Sequence, residues 1–375
     1  MTLINKIRNK LVIQYANFFS KFEVSLQNNL ALLSKDLDSP LNRPTSIAIN
    51  VTSNCMMRCQ QCDLWKSKPE RQMTFDEAKI IIDKLHSWLG NFYIFFTGGE
   101  PFINQDLPKI IKYCEEIGLI THVNSNAFAI NDKLAQKIIE SNLSSISISL
   151  DGGNALTHDH LRGVTGAYDH VINGIKLLRK YRADGKLKIY VNSVIMQPNV
   201  KQLSDIVKVA SSNHTDGITF QNLLPTLASK KTTKEEFHGP LWPKYTDLKK
   251  SVNQVIKNMS KTPILLTSKD EMKYALRYYK NPSITNNIQC SAGLNNIIID
   301  NKGDMRLCYN YPSIGNVFKD DPKKIWYDLK SRQQRKIIRK CQQPCKITAC
   351  NTINTERQRN VIVKSFERFL HQDPQ

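Results

Sequence analysis

The sequence predicts an α/β fold: a partial (β/α)6 barrel followed by a smaller C-terminal domain. Apolar strand-like stretches alternate with segments of helical periodicity over residues 44–225, and this order indicates a parallel sheet covered by helices. The chain has 375 residues, of which 41% are hydrophobic. This length favours two domains, and this composition supplies enough apolar surface for a core.

Six strand-like segments account for the predicted barrel. They are Ser46–Val51, Asn91–Thr97, Leu119–Asn124, Ser145–Leu150, Lys188–Met196 and Gly217–Leu223. Five helices are predicted between them, at Thr74–Leu89, Asp106–Ile117, Asp132–Ser141, Tyr168–Tyr181 and Val200–Ser211. Thr74 and Glu77 form a capping-box pattern at the start of the first helix.

Three further segments flank or follow the barrel. Residues 1–43 read as an amphipathic helix and a linker, residues 226–285 as a helical bridge, and residues 286–375 as the second domain. The bridge contains predicted helices at Leu241–Met259 and Lys269–Tyr279. Two interpretations of the N-terminal helix stay open: it packs on the barrel, or it docks at a membrane surface or a partner.

The net charge, the cysteines and the absence of membrane or secretion patterns in the sequence indicate which partners and which cellular location to expect. The net charge is +20, from 53 Lys and Arg against 33 Asp and Glu, which favours acidic partners unless it reflects background composition alone. The sequence contains no apolar run long enough for a transmembrane helix. It also shows no signal-peptide pattern at the N-terminus. The clustered cysteines suit a reducing cytoplasm. We therefore expect a cytoplasmic protein, with peripheral contact at the inner membrane face as an open alternative.

Cys55, Cys59 and Cys62 stand in a C-x3-C-x2-C run directly after the first predicted strand. Three thiolates on one loop can hold three irons of a four-iron cluster and leave the fourth iron open, whereas clusters built for electron transfer take four cysteines. An open position is typical of a metal that performs chemistry. Structural zinc or buried thiols are the alternatives.

This loop resembles the signature of the radical S-adenosylmethionine (SAM) superfamily, and further motifs follow in the family's order. The run Phe95–Pro101 contains Gly-Gly-Glu-Pro, Ser147–Gly152 resembles the family's fourth strand, and His158–Gly163 resembles the segment after it. The resemblance covers about residues 45–225. It implies a partial barrel, a [4Fe–4S] cluster bound to SAM, and cleavage of SAM to a 5′-deoxyadenosyl radical that abstracts hydrogen from a substrate.

The resemblance also implies which residues contact SAM. Gly98 and Gly99 would let the backbone approach the amine of SAM. Glu100 would either bind that amine or fix the loop, and it is the one catalytic candidate besides the cluster. In the barrel, the active site lies at the carboxyl ends of the strands.

Four more cofactor-binding candidates lie at or beyond strand ends. Ser149 and Asp151 alternate on one strand and would face a ribose hydroxyl. Arg162 would pair with the methionine carboxylate, since a guanidinium matches that group; a surface ion pair is the alternative. Asn192 also falls at or near a strand end and is a weaker candidate for a cofactor contact.

A second group of cysteines resembles the C-terminal SPASM or shorter twitch extension of the same family. The group comprises Cys290, Cys308, Cys341, Cys345 and Cys350. Full SPASM domains carry seven cysteines for two clusters, so five imply one auxiliary [4Fe–4S] cluster, held by the first two and by two of the last three. Structural zinc stays open. A hairpin is predicted around Asn301–Gly303.

Enzymes with such extensions are often peptide maturases, and the first hypothesis is oxidation or cross-linking of a peptide or protein. The alternative is radical modification or dehydrogenation of a small molecule or lipid at the membrane surface. Implied partners are SAM, the substrate and an acidic flavodoxin- or ferredoxin-like reductant. Nucleic acid is not expected, because interleaved aromatic and basic residues are not seen.

Overall fold

The structure is a computed structural model. It describes residues 40–68, 70–182, 186–224, 239–287 and 290–347, together with a few residues between 26 and 37. Within these ranges, the side chains of residues 285–287 and 346–347 are not described. The helix predicted over residues 1–35 lies almost wholly outside the described residues, and Cys350 lies outside them too.

Nine strands form one sheet in the order β6-β5-β4-β3-β2-β1-β7-β8-β9. Their bounds are Ser46–Thr52 (β1), Tyr93–Gly98 (β2), Ile120–Ser125 (β3), Ser145–Ser149 (β4), Lys188–Ile195 (β5), Gly217–Asn222 (β6), Asn296–Ile299 (β7), Asp304–Arg306 (β8) and Gly315–Asn316 (β9). Strands β1 to β6 pair in parallel with their neighbours. The sheet is open, so the barrel is partial, as the sequence predicts.

Helices cover this sheet. In the described residues from 40 onward, the α-helices are Phe75–Leu89 (α1), Leu107–Glu116 (α2), Asp132–Glu140 (α3), Ala155–Arg162 (α4), Ala167–Tyr181 (α5), Leu203–Ser212 (α6), Tyr245–Asn258 (α7), Lys269–Lys280 (α8), Pro322–Tyr327 (α9) and Leu329–Arg339 (α10). Thr74 caps α1 with the reciprocal bonds to Glu77 that the sequence predicts. The described part of the chain contains no helix long and apolar enough to span a membrane.

The strands alternate between a helix-packed face and a concave face. On β1, Ile47 and Ile49 are fully buried, and Ile146 and Ile148 are buried in the same way on β4. Each such side chain contributes about 1.5–3 kcal/mol by leaving water. The alternate residues of the strands, such as Asn50 and Ser149, point to the opposite face and are mostly polar.

All six predicted barrel strands and their five helices are present, with small shifts at their ends. The predictions lacked α4, whose sequence Ala-Leu-Thr-His-Asp-His-Leu-Arg has no apolar stripe. This helix buries His158, Leu161 and Arg162 instead. Polar residues that are buried for a specific bond give no periodic signal.

The C-terminal domain continues the barrel sheet. Strand β7 pairs in parallel with β1, and β8 and β9 extend it in antiparallel pairing. The predicted hairpin around Asn301–Gly303 is present between β7 and β8, and Gly303 occupies the left-handed region at φ 80°. The domain boundary predicted at residue 286 is therefore not a break in the sheet, and the domain limits stay a proposal.

Arg335 anchors α10 to the rest of the C-terminal domain. It is 2% exposed, and it donates to the carbonyls of Gly293 (2.7 Å) and Trp326 (2.8 Å). Its guanidinium also lies 4.2 Å from the centre of the Trp326 ring.

We predict that Arg335→Met lowers the free energy of unfolding by roughly 2–4 kcal/mol, because two buried carbonyls lose their donors. Anaerobic thermal denaturation measures the change. Lys330→Met removes an exposed cation from the same helix and should cost less than about 0.5 kcal/mol. Equal losses in the two variants would contradict this role for Arg335.

Candidate functional site

The first cysteine loop lies directly after β1, at the carboxyl end of the parallel strands. Cys59 is buried, while Cys55 and Cys62 are half-buried. They pack with Met57 and with Ala167 at the start of α5. The predicted cysteine loop is therefore at the edge of the sheet where the active sites of such folds lie.

The end of α4 holds this loop through backbone contacts. The Arg58 amide donates to the Arg162 carbonyl (3.0 Å), and the Gln60 amide donates to the Leu161 carbonyl (3.0 Å). A side chain at Gly163 would overlap the Arg58 carbonyl oxygen. A small residue in the left-handed region (φ 67°) is thus required for this close approach.

Gly98 and Gly99 form a second backbone contact to the loop. The Gly99 amide donates to Thr52 (2.9 Å) and the Glu100 amide donates to Asn54 (2.8 Å). A Cβ at Gly98 would overlap the Thr52 carbonyl, and one at Gly99 would overlap the Asn54 carbonyl. These glycines are required by protein packing, and their approach to the SAM amine stays a prediction.

Glu100 is buried and fixes the neighbouring loop. Its Oε1 accepts from the Phe102 amide (3.1 Å) and the Ser125 hydroxyl (2.8 Å), and its Oε2 accepts from the Asn126 amide (2.7 Å). Burial raises the pKa of Glu100 to about 7 against these bonds and the charge of Arg162. Of the two roles predicted for Glu100, the contacts support loop fixing.

Asp151 and Arg162 form a buried ion pair next to the cysteine loop. Arg162 Nη2 lies 2.7 Å from Asp151 Oδ2, and Arg162 Nη1 lies 3.7 Å from Cys59 Sγ. Burial opposes the charged guanidinium, yet Asp151 and the nearby thiols raise the pKa of Arg162 above its usual value. This pair is not on the surface, so that alternative is wrong.

The carboxylate of Asp151 has further protein partners. Its Oδ1 accepts from the Val194 amide (2.8 Å) and its Oδ2 from Gln61 Nε2 (3.1 Å). With Arg162 these bonds involve both oxygens, so the geometry favours positioning Arg162 over the ribose contact expected for Asp151. By contrast, Arg162 Nε is buried without a hydrogen-bond partner among the described residues.

Ser149 and Asn192 pair across β4 and β5. Ser149 is half-buried, and Asn192 Oδ1 accepts from the Thr219 hydroxyl on β6. These two residues lie on the same face of the sheet, near the strand ends. Their proposed contact with a ribose stays a prediction.

The remaining concave face carries polar, uncharged side chains on several strands, beside apolar ones such as Phe95. One row joins side chains from five strands: Asn50, Thr97, Asn124, Ser147 and Tyr190. His122 stands two residues before Asn124 on β3, toward the amino ends of the strands. Its ring nitrogens contact Ser145 Oγ (2.8 Å) and Asn124 Oδ1 (3.2 Å). Burial lowers the pKa of His122 to about 4, so its ring is neutral near pH 7.

The three cysteines of the first loop are candidate ligands of an iron–sulfur cluster. Burial raises the pKa of Cys55 to about 11 against a hydrogen bond from the Met57 amide, and the neighbouring Glu100, Cys59 and Cys62 contribute to the rise. Among the described residues, however, no three His, Cys, Asp or Glu side chains are arranged to hold one metal ion. Three thiolates on one loop are a donor set suited to three irons of a four-iron cluster.

The second cysteine group also assembles in space. Cys290 and Cys308 are buried, and Cys341 and Cys345 are half-buried. Burial, followed by the other three thiols of the group, raises the pKa of Cys345 to about 12. Four converging thiols match the ligand number of an electron-transfer cluster. Of the last three cysteines, the structure thus brings Cys341 and Cys345 to this site.

Sequence reasoning missed several supporting residues. Ser125 and Gln61 hold Glu100 and Asp151, and Asn199 donates to the Asp151 carbonyl (2.9 Å). Tyr311 bonds to Cys341 in the second group. These partners are distant in the sequence, so no local pattern could have indicated them.

We predict that Gly98→Ala destabilises the protein more than Gly90→Ala. Both glycines have positive φ, 135° and 69°, which costs a side chain about 1–2 kcal/mol. A Cβ at Gly98 would also overlap the Thr52 carbonyl oxygen, whereas a Cβ at Gly90 would meet nothing within 4 Å. The overlap should add about 1–3 kcal/mol, as measured by anaerobic denaturation, and equal effects would refute the packing role.

Comparison with known proteins adds independent findings. Residues 49–210 match the radical SAM superfamily, and residues 290–351 match the iron–sulfur cluster-binding domain called SPASM. An AdoMet-dependent heme synthase of Methanosarcina barkeri is 32% identical over 171 residues, 45% of this chain and 48% of that protein. A PqqA peptide cyclase of Rhodopseudomonas palustris is 24% identical over 200 residues, 49% and 52% of the two chains.

Solved structures share the fold. Streptococcus suis SuiB bound to S-adenosylmethionine superposes with a TM-score of 0.61 at 19% identity, covering 80% of this chain and 69% of that one. The enzyme anSMEcpe, bound to AdoMet and a peptide, gives 0.60 at 16% identity, covering 88% and 98%. The chain spans about half the length of the curated relatives it matches. Its two matched domains, whose families imply SAM and [4Fe–4S] clusters, identify this chain as a radical SAM superfamily enzyme with a C-terminal SPASM domain.

Proposed function

We propose that this enzyme cleaves SAM reductively and uses the resulting radical to modify a peptide or protein. The observation that carries the proposal is a loop presenting three thiols beside a buried, partly unpartnered Arg162. When bound there, the cluster supplies one electron to the sulfonium of SAM, giving methionine and a 5′-deoxyadenosyl radical that takes hydrogen from the substrate.

The surrounding residues bind and orient. Cys55, Cys59 and Cys62 hold the cluster. Arg162 uses its free Nε–H for the methionine carboxylate, and Asp151 holds the guanidinium in place. A protein that holds such a reactive species must fix these groups and exclude water.

Ser149 and Asn192 complete the proposed cofactor contacts by binding the ribose. Glu100 fixes the loop that carries Asn126. The side-chain Nδ2 of Asn126 lies 3.7 Å from Cys55 Sγ. In this arrangement Glu100 shapes the cluster site indirectly.

The concave face supports a peptide substrate. Its row of amide and hydroxyl side chains, with both donors and acceptors, complements the N–H and C=O groups of a peptide. A substrate rich in carboxylates would be better matched by guanidinium groups. The names of two similar proteins support this candidate: a peptide cyclase, and SuiB bound to its precursor peptide SuiA.

The second cysteine group supports an oxidative outcome. After hydrogen abstraction, oxidation or bond formation releases a second electron. Cys290, Cys308, Cys341 and Cys345 would hold an auxiliary [4Fe–4S] cluster, which would supply a one-electron acceptor at this site.

A second candidate is modification of a tetrapyrrole. It is favoured by the identities of 32% and 33% to enzymes named AdoMet-dependent heme synthase. Anaerobic assays with iron coproporphyrin III separate the two candidates: faster release of 5′-deoxyadenosine with a changed porphyrin spectrum would favour the tetrapyrrole. Membrane docking of the N-terminal segment also stays a prediction.

We predict that Cys59→Ala lowers iron by about one four-iron cluster and abolishes 5′-deoxyadenosine formation with dithionite, because the cluster loses one of its three protein ligands. Cys114→Ala is the matched control, since Cys114 is a fully buried thiol in α2. It should keep its iron and activity. Unchanged turnover in the Cys59 variant would refute the assignment.

We predict that Arg162→Lys raises the dissociation constant for SAM about 10–100-fold, since an ammonium cannot bind Asp151 and a carboxylate through a planar fork. Iron content should be unchanged. The measurement is SAM titration followed by the electron paramagnetic resonance of the reduced cluster. Arg182→Lys, which alters the Arg182–Asp216 pair, is the control, and equal affinities in all three proteins would contradict the role of Arg162.

A further inference from the structure

Helix α10 leads directly into the second cysteine group. The Cys341 amide donates to the Ile338 carbonyl in the last turn of the helix (3.0 Å). The buried side of α10 carries Ser331, Gln334, Arg335 and Ile338. Its opposite side faces solvent, within a few residues of the cysteines that we assign to the auxiliary cluster.

The exposed side forms one stripe at helical spacing. We call this stripe the α10 face, and it consists of Leu329, Arg332, Gln333, Lys336, Ile337 and Lys340, with Lys330 beside it. All seven residues are exposed. Their spacing of three and four residues places them on one continuous surface.

The charge of the α10 face is one-sided. Residues 329–355 contain no Asp or Glu. Cations in the last turn, such as Lys336, stabilise a helix through its dipole, but Lys330 and Arg332 stand in the first turn, where a cation costs about 0.3–1 kcal/mol. Arg332 Nε donates to the Tyr327 carbonyl (3.0 Å), whereas helix stability does not explain the cation at Lys330.

The face also exposes two large apolar side chains. Leu329 is 69% exposed and Ile337 is 56% exposed. Exposed apolar side chains beside polar and charged ones are typical of protein interfaces, which have a polar rim. A surface that only kept the protein in solution would not need these two residues.

We propose that the α10 face is the docking surface for an acidic one-electron carrier protein. Opposite charges would steer the carrier and fix its orientation, and the apolar pair would hold it. Docking here places the carrier at the end of the helix that joins the second cysteine group. One electron then passes between carrier and cluster, so that one is oxidised as the other is reduced and no bond is formed or broken.

This inference rests on the proposed function, but its primary test is binding and needs no turnover. The probe is an oxidised acidic flavodoxin, titrated calorimetrically into the anaerobic full-length holoenzyme at low and high salt. The test variant combines Lys330→Glu, Arg332→Glu and Lys336→Glu. The control combines Lys133→Glu, Lys137→Glu and Lys176→Glu, which make the same charge change at exposed sites on α3 and α5.

We expect the test variant to weaken flavodoxin binding by at least about 30-fold at low salt and to abolish its salt dependence, while the control changes affinity by less than about threefold. Ile337→Ser should weaken binding at both salt concentrations, because its contribution is apolar. Circular dichroism confirms folding, and the milder set Lys330→Gln, Arg332→Gln and Lys336→Gln replaces the first if that one unfolds.

Three outcomes would overturn the proposal. These are unchanged binding in the test variant, equal weakening in test and control, and loss of binding to phosphatidylglycerol vesicles with flavodoxin binding intact. The last would assign the face to a membrane surface. Failure of the proposed function would appear separately, as absence of 5′-deoxyadenosine in a protein that still binds flavodoxin through this face.

Discussion

The buried pair of Asp151 and Arg162 is the interaction on which the candidate site depends. Removing one partner of a buried ion pair typically costs 3–5 kcal/mol, because the other charge is left uncompensated. Asp151 joins the end of β4 to β5 and to Gln61 in the cysteine loop. Arg162 joins α4 to the same loop through its backbone and side chain. One charge pair thus sets the positions of strand, helix and loop together.

Backbone contacts fix the position of the first cysteine loop more closely than side-chain contacts alone would. The glycines at the end of β2 and at the end of α4 let main chains approach the cysteine loop from two sides. A loop held in this way has little freedom to rearrange, which suits the binding of a cofactor in one orientation. One row of side chains on the concave face beside it consists of hydrogen-bonding groups without charge.

Much of this architecture is readable from local sequence patterns. Alternating apolar runs gave the strands, Thr74 and Glu77 gave a helix start, and cysteine spacing gave both candidate metal sites. What could not be read depends on contacts between distant residues. Ser125 reaches Glu100 and Gln61 reaches Asp151 only after folding. Helix α4 lacked a periodic signal, and nothing in Asn296–Ile299 shows that it pairs with β1.

The parallel pairing of β7 with β1 determines whether the two halves of the chain can be separated. Strand β1 carries the first cysteine loop, and its outer edge is covered by β7. A chain shortened before β7 would leave those N–H and C=O groups bare, and uncovered strand edges recruit other chains into aggregates. The extension therefore covers the edge of the strand that leads into the first cysteine loop, so a chain carrying a different extension must supply a replacement strand.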